Sequence, residues 1–172
     1  IIAKSVLDDR EKALDCLEKI ESANTYLLGL INDILDMSRI ESGKMELSYE
    51  SIDLEQQLSN LESLFRAQAE EKHLELTFEN DYRKKRPLRA DSLRLNQILV
   101  NIIGNAIKFT ELGSVAVRVK VLEEEPRALI RFSVTDTGIG IEPAAMRRIF
   151  NAFEQADALT ASRHGGTGLG LS

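Results

Sequence analysis

The sequence has few of the residues on which several classes of protein depend. Its single cysteine, Cys16, cannot form an internal disulfide, and one cysteine with two histidines is too few for a zinc cluster. Its longest apolar runs, such as residues 26–31, are far shorter than the ~20 residues of a membrane-spanning helix. These shortages exclude a disulfide-rich secreted fold and a zinc module. We expect a cytoplasmic segment with no membrane contact.

An excess of basic residues is also missing. The chain of 172 residues carries 28 acidic and 22 basic side chains, for a net charge of −6, so no nucleic-acid partner is expected. Residues 83–86 form a basic run, but no aromatic residues are interspersed with it, and we interpret it as a solvated loop. With 43% hydrophobic residues, the chain predicts one compact domain plus an appendage.

The first 40 residues have the pattern of a long helix with one narrow apolar seam. Apolar positions recur there at alternating steps of four and three, interrupted by one polar residue that we interpret as fixing register: Ala13, Leu17, Ile20, Asn24, Leu27, Ile31 and Ile34. The pattern predicts a helix over residues 8 to about 40 that packs against another helix, in a bundle or a dimer. Gly43 would end it, which puts a domain boundary near residues 43–45.

The rest of the chain alternates between helical and strand patterns. Three helices are predicted: one from a cap at Asp53 to about residue 71, one over residues 91–109, and a short one from Pro143 to residue 150. Strands are predicted within residues 47–52 and 74–79, and a hairpin is predicted with its strands at 114–122 and 128–135. A glycine-containing loop follows. This order of helices and strands predicts an α+β fold, in the form of an α/β sandwich in which helices cover one face of a mixed sheet.

The helix at 91–109 carries a polar stripe with unusual residues. At 100° per residue, one side holds Arg94, Gln97, Asn101, Asn105 and Lys108, and the apolar side holds Leu95, Leu99, Ile102, Ala106 and Phe109. Asparagine within a helix lowers helix propensity, whereas its amide oxygen suits Mg²⁺, and a lysine one turn on suits a phosphate. A merely polar face remains the alternative.

Two glycine clusters follow. Asp136 stands at a strand end before Gly138 and Gly140, where a carboxylate can accept a hydrogen bond from an exocyclic amine such as that of adenine. A tight turn explains the same glycines. The second cluster, residues 165–170, offers backbone amides to phosphate oxygens, although a flexible loop explains it equally. No Walker A pattern is present.

Taken together, four motifs resemble the N, G1, F and G2 boxes of sensor histidine kinases, in the same order. They are Asn101-Ile-Ile-Gly-Asn-Ala-Ile-Lys-Phe-Thr110, Asp136-Thr-Gly-Ile-Gly140, Phe150-Asn-Ala-Phe153 and Gly166-Thr-Gly-Leu-Gly-Leu171. Residues 30–44 are similar to the second helix of the family's dimerisation hairpin. The resemblance covers the whole chain and is strongest to hybrid kinases, which carry receiver domains.

The resemblance implies a Bergerat nucleotide-binding sandwich that binds ATP and Mg²⁺. Asn105 would hold the metal, Lys108 would contact phosphate, and Asp136 would accept a hydrogen bond from the adenine amine. Gly138 and Gly140 would let the chain pass the base. A lid over residues 150–170 would contact the phosphates through Gly166, Thr167, Gly168, Leu169 and Gly170.

The resemblance also assigns catalysis to Asn101 and Lys108. ATP-hydrolysing relatives carry at position 101 a glutamate that activates water, and Asn101 cannot take up a proton at neutral pH. Transfer of the γ-phosphoryl group to a histidine is therefore favoured. A Bergerat ATPase and a nucleotide-binding scaffold without kinase activity are the alternatives.

The family's phosphoacceptor motif, His-Glu-x-x-x-Pro, is absent, and neither His73 nor His164 is a good substitute. We therefore expect residues 1–44 to be part of the dimerisation and phosphotransfer hairpin and residues 45–172 to be most of the ATP-binding domain, without its last strands. The implied partners are a second copy, bound through the hairpin, and a response-regulator receiver domain. The parent protein would be attached to a membrane.

Overall fold

The computed structural model describes residues 2–82, 88–123, 129–143 and 145–146. The chain forms two compact units, Ile1–Met45 and Glu46–Ser172. In the described part of the chain, no helix combines the length and the apolar character needed to cross a membrane.

The first unit is one helix, α1, which spans Ile2–Glu41. It ends where the pattern predicted, because Gly43 adopts a left-handed conformation (φ 64°) and the amide of Lys44 donates to the carbonyl of Arg39 at 2.9 Å. The seam is exposed within this unit: Leu17 and Ile20 have relative exposures of 60% and 64%.

The described part of the second unit contains two capped helices. Helix α2 spans Leu54–Glu71, and the side chain of Asp53 accepts from the amide of Gln56 at 3.0 Å. Helix α3 spans Ser92–Phe109, and Asp91 accepts from the amide of Arg94 at 3.0 Å. Both helices begin within one residue of the prediction, since a carboxylate satisfies amides that no helical carbonyl can reach.

In the residues that the structure describes, five strands form two sheets. They are β1 (Glu50–Ile52), β2 (Glu75–Asn80), β3 (Leu88–Ala90), β4 (Ser114–Glu123) and β5 (Leu129–Asp136). The main sheet has the order β2-β4-β5; β2 is parallel to β4, and β5 is antiparallel to it, so the mixed sheet is confirmed. Strand β3, which the sequence did not predict, pairs with β1 in an antiparallel ribbon.

The core lies between one face of the main sheet and helices α2 and α3. Alternate residues of β4, namely Val115, Val117 and Val119, are at most 1% exposed and belong to one apolar cluster with Leu61, Phe65, Leu99 and Ile103. This arrangement confirms the sandwich. One detail was wrong: Ile102, predicted on the apolar side, is 36% exposed, whereas its neighbour Ile103 is fully buried.

Three predicted segments fall mainly or completely outside the described residues, and one of them is the lid and loop predicted from residue 150 onward. The basic run at 83–86 also lies completely outside them. Of the short helix expected after Pro143, the structure describes a turn in which the amides of Ala145 and Met146 donate to the carbonyl of Glu142 at 2.8 and 3.2 Å.

Candidate functional site

The predicted polar stripe lies along α3 on the side opposite its buried residues. Asn101, Asn105 and Lys108 are all half-buried, and Ile103 and Ile107 are in the core. Within the described part of the chain, neither asparagine side chain forms a hydrogen bond. Two amides a turn apart are therefore able to offer their oxygens to a ligand.

The last turn of α3 has its carbonyls bound by side chains. The hydroxyl of Thr110, which is fully buried, donates to the carbonyl of Ala106 at 2.7 Å. The ammonium group of Lys72, from the end of α2, donates to the carbonyls of Ile107 and Lys108, each at 2.8 Å, and of Thr110 at 3.3 Å. A helix end with satisfied carbonyls is held in place more firmly than one open to water.

The loop after β5 rests against this helix end. The amide of Ile139 donates to the carbonyl of Phe109 at 3.3 Å, and a Cβ at Gly138 would lie 2.5 Å from the same oxygen. Asp136 is exposed, and its Oδ1 accepts from the amide of Gly138 at 2.9 Å. One carboxylate oxygen is thereby fixed within the protein while the other is left for a ligand.

Thr137 fastens the loop to the beginning of β4. Its hydroxyl oxygen accepts from the amide of Ser114 at 3.0 Å, and its hydroxyl group donates to the carbonyl of Leu112 at 3.2 Å. Gly113 adopts φ 111°, and a Cβ there would lie 2.2 Å from the Thr137 hydroxyl oxygen. The glycine is thus required by both its conformation and its close contact.

A charged side chain lies at each end of α3. Near its C-terminus, the ammonium group of Lys108 lies 5.1 Å from the ring centroid of Phe109. At its N-terminus, hydrogen bonds from the backbone of Arg94 and then of Ser48 hold the pKa of Asp91 below its usual value. The signs match the helix dipole, which favours anions at the first turn and cations at the last.

The structure brings most of the described site residues into one region. Asn101, Asn105 and Lys108 share one side of α3, and the loop with Asp136, Gly138 and Gly140 packs on the end of that helix. His164 and the predicted phosphate-contacting residues lie outside the described residues: Gly166, Thr167, Gly168, Leu169 and Gly170. No group of three or more His, Cys, Asp or Glu residues that could hold a metal occurs in the described ranges. The metal role of Asn105 thus stays a prediction.

Sequence reasoning missed Lys72 and Thr137. Their partners are 35 to 38 and 23 to 25 residues away, so no local pattern predicts these contacts, although Thr137 lies within the motif at residues 136–140. The left-handed conformation of His73 (φ 55°), directly after Lys72, was not foreseen either.

Comparison with known proteins agrees with this geometry. Residues 90–172, which include α3 and the loop after β5, match the family described as histidine kinase-, DNA gyrase B- and HSP90-like ATPases. The chain carries a histidine-kinase-type ATPase domain. The family resemblance and the fold predicted from the sequence are therefore confirmed.

Relatives of this ATPase domain are sensor kinases. The autoinducer 2 sensor kinase/phosphatase LuxQ of Vibrio cholerae is 36% identical over 172 residues, which cover all of this chain and 20% of that protein. The signal transduction histidine-protein kinase BarA of Escherichia coli K12 is 42% identical over 158 residues, or 91% of this chain and 17% of that protein. The chain thus spans a fifth or less of the length of these two relatives.

A solved structure is similar to this chain in both sequence and fold. Full-length ShkA, crystallised in complex with AMPPNP, has a TM-score of 0.71 and 39% identity, over 85% of this chain and 29% of that one. The catalytic domain of the histidine kinase ThkA has a TM-score of 0.58 and 26% identity, over 74% of this chain and 76% of that one.

Proposed function

We propose that this chain is the nucleotide-binding part of a sensor histidine kinase that binds Mg-ATP and transfers the γ-phosphoryl group to a histidine of the dimerisation hairpin. The phosphoryl group would then pass to an aspartate of a response-regulator receiver domain. One observation carries the proposal: the loop with Asp136 is hydrogen-bonded to the end of the helix that holds Asn105 and Lys108. A base-binding group and phosphate-binding groups thus belong to one structural unit.

The base end of the site has the chemistry that adenine requires. Because Gly138 occupies one oxygen of Asp136, the other oxygen can accept from the adenine amine. Gly140 has a positive φ of 71° and no atom within 4 Å of its Cβ position, so the chain can pass close to a planar base. The ShkA crystal structure with the ATP analogue AMPPNP supports the same ligand for this chain.

The phosphate end fits a metal held mainly by the nucleotide. Mg²⁺ prefers oxygen ligands and is commonly held by one or two protein groups together with phosphates, and the half-buried amide of Asn105 offers such an oxygen. The metal would neutralise phosphate charge, and Lys108, Gly166, Thr167, Gly168, Leu169 and Gly170 would contact the phosphates.

Asn101 favours phosphoryl transfer over hydrolysis, because an amide cannot act as the base that activates water. The competing ATPase would release free phosphate, and a scaffold would turn over no ATP. A radiolabelled ATP assay with a separately supplied acceptor hairpin separates the three, since only the kinase forms acid-labile phosphohistidine.

The exposed seam of α1 supports dimerisation, because a stripe of this spacing packs well against a second helix. We assign residues 1–44 to the dimerisation hairpin, residues 45–172 to the ATP-binding domain, and the reaction to the cytoplasm.

Substitution of Asn105 tests the metal-binding part of the proposal. We expect Asn105→Ala to abolish Mg²⁺-dependent ATP binding in calorimetry, because the variant loses the amide oxygen that the proposal assigns to the metal. Asn60→Ala, which removes an exposed amide from α2, should leave the affinity unchanged and serves as the control. Equal affinity in the two variants would remove Asn105 from the metal site.

A further inference from the structure

Lys72 occupies a position that the proposed chemistry does not explain. Its half-buried ammonium group donates to three carbonyls at the end of α3: Ile107 and Lys108 at 2.8 Å and Thr110 at 3.3 Å. An ammonium group has three donors, and here three acceptors from one helix end surround it. It is also a cation at the negative end of the helix dipole, where the interaction is favourable.

The end of α2 determines where Lys72 points. Lys72 is the C-cap residue of α2, and the next residue, His73, adopts a left-handed conformation (φ 55°). The amide of Leu74 then returns to the carbonyl of Ala69 at 2.9 Å and closes the helix end. A non-glycine residue in this conformation is uncommon, because the conformation is higher in free energy. It persists where the surrounding contacts determine the turn.

The carbonyls that Lys72 binds belong to the same turn as the contact with the loop. The carbonyl of Phe109 lies in sequence between those of Lys108 and Thr110, and it accepts from the amide of Ile139. Lys72 therefore holds the backbone of Lys108, and the turn that it holds also supports the loop that begins at Asp136. The two ends of the proposed nucleotide site meet at this turn.

We propose that Lys72 is a positioning residue for the nucleotide site. It fixes the last turn of α3, so that Lys108 and the loop of Asp136 are already in place when Mg-ATP binds. The inference rests on the proposed function. It assigns no contact between Lys72 and the nucleotide, since its three donors are taken by carbonyls.

The experiment compares the 172-residue chain with Lys72→Met, which keeps the length of the side chain and removes the charge. Lys120→Met removes an exposed lysine from β4 and is the matched control. Mg-ATP affinity is measured by calorimetry on protein shown to be folded by circular dichroism. We expect Lys72→Met to weaken binding about tenfold, the size of effect that corresponds to losing one hydrogen bond from a charged group, and Lys120→Met to bind normally.

Two further readouts separate positioning from a general loss of stability. Ammonium chloride should restore part of the affinity of Lys72→Met, because an ammonium ion can occupy the carbonyls, whereas tetramethylammonium chloride has no donor and should not. Hydrogen exchange without nucleotide should be faster at the amide of Ile139 in Lys72→Met. If Lys72→Met does not fold, Lys72→Gln takes its place. It removes the charge and one of the three donors, so we expect a loss of Mg-ATP affinity and a rise in exchange at Ile139 in the same direction as for Lys72→Met but smaller.

Normal Mg-ATP affinity in a folded Lys72 variant, or unchanged exchange at Ile139, would overturn the role of Lys72 and leave the proposed function intact. Failure of the unmodified chain to bind Mg-ATP would instead overturn the proposed function and the positioning role with it.

Discussion

Asp91 shows how one carboxylate can join two parts of the second unit. It accepts from the amide of Arg94, which caps α3, and from the amide of Ser48 at 2.9 Å, in the segment that precedes β1. These hydrogen bonds favour the ionised form and lower the pKa of Asp91. The helix that carries the candidate site is thereby fastened at its beginning to the segment that enters the unit.

The lowered pKa predicts a pH dependence of stability. Since the folded-state pKa lies below the unfolded value of about 3.9, the contribution of Asp91 is fully present above that value and is lost as the pH falls through the folded-state pKa. We expect Asp91→Asn to lower the free energy of unfolding most at neutral pH and progressively less below about pH 4. Denaturant unfolding at several pH values measures this. Asp81→Asn, at an exposed position, is the control, and a destabilisation by Asp91→Asn that does not change with pH would contradict the argument.

Local patterns predicted the residues whose partners are local. Asp53 could be identified as a cap from the sequence because the amide that it binds is three residues away. Lys72 and Thr137 could not be identified, because each binds backbone that only the fold brings near. The polar stripe and Asp136 were found because they belong to short motifs, although the packing of the loop after Asp136 on the end of α3 depends on the long-range bond from Ile139 to Phe109.

The contact between α3 and the loop after β5 is the element-scale feature on which the site depends. Two glycines in this loop have different environments. A Cβ at Gly138 would lie 2.5 Å from the backbone oxygen of Phe109 and 2.9 Å from Oδ1 of Asp136, whereas a Cβ at Gly140 would meet no atom within 4 Å. Only the first glycine is required by the contact of the loop with the helix.

Alanine substitutions at the two glycines should therefore have different effects. Gly138→Ala forces the loop away from α3 and should lower the free energy of unfolding by about 1–3 kcal/mol and weaken ATP binding. Within the protein, Gly140→Ala meets only the cost of a left-handed alanine, about 1 kcal/mol, so its free energy of unfolding should fall less than that of Gly138→Ala. Urea unfolding measures both variants, and calorimetry measures the ATP affinity of Gly138→Ala. An unchanged free energy of unfolding and an unchanged ATP affinity in Gly138→Ala would show that the close approach at Gly138 does not position the site.

Helices and strands with a clear pattern of apolar residues or a cap were predicted well. The pairing of the strands, and which helix residues face the sheet, were predicted less completely. Strand β3 has only three residues, and its partner β1 lies about 40 residues earlier, so neither length nor alternation marked it. On α3, Ile102 and Ile103 are both apolar, and the pattern alone could not determine which of them faces the sheet. Burial at Ile103 follows from the position of the sheet.

On the scale of the whole chain, the candidate site belongs to the second unit, and the exposed seam belongs to the first. Composition and charge excluded other classes of protein without indicating a function. The order of four short motifs indicated the family, and the match over residues 90–172 agrees with it. This division predicts that nucleotide binding depends on the second unit.

The most direct test of the account is ATP affinity in the unmodified chain and in Asp136→Asn. An asparagine that keeps its oxygen on the amide of Gly138 turns an N–H donor toward the ligand, where it opposes the adenine amine. We expect the unmodified chain to bind Mg-ATP and to prefer it to Mg-ITP, whose base has a carbonyl in place of the amine. Asp136→Asn should bind Mg-ATP about 10- to 100-fold more weakly, as for loss of a hydrogen bond to a charged group, and should lose the preference over Mg-ITP. Asp81→Asn is the control. Unchanged Mg-ATP affinity and base preference in Asp136→Asn would contradict the assignment of the adenine site.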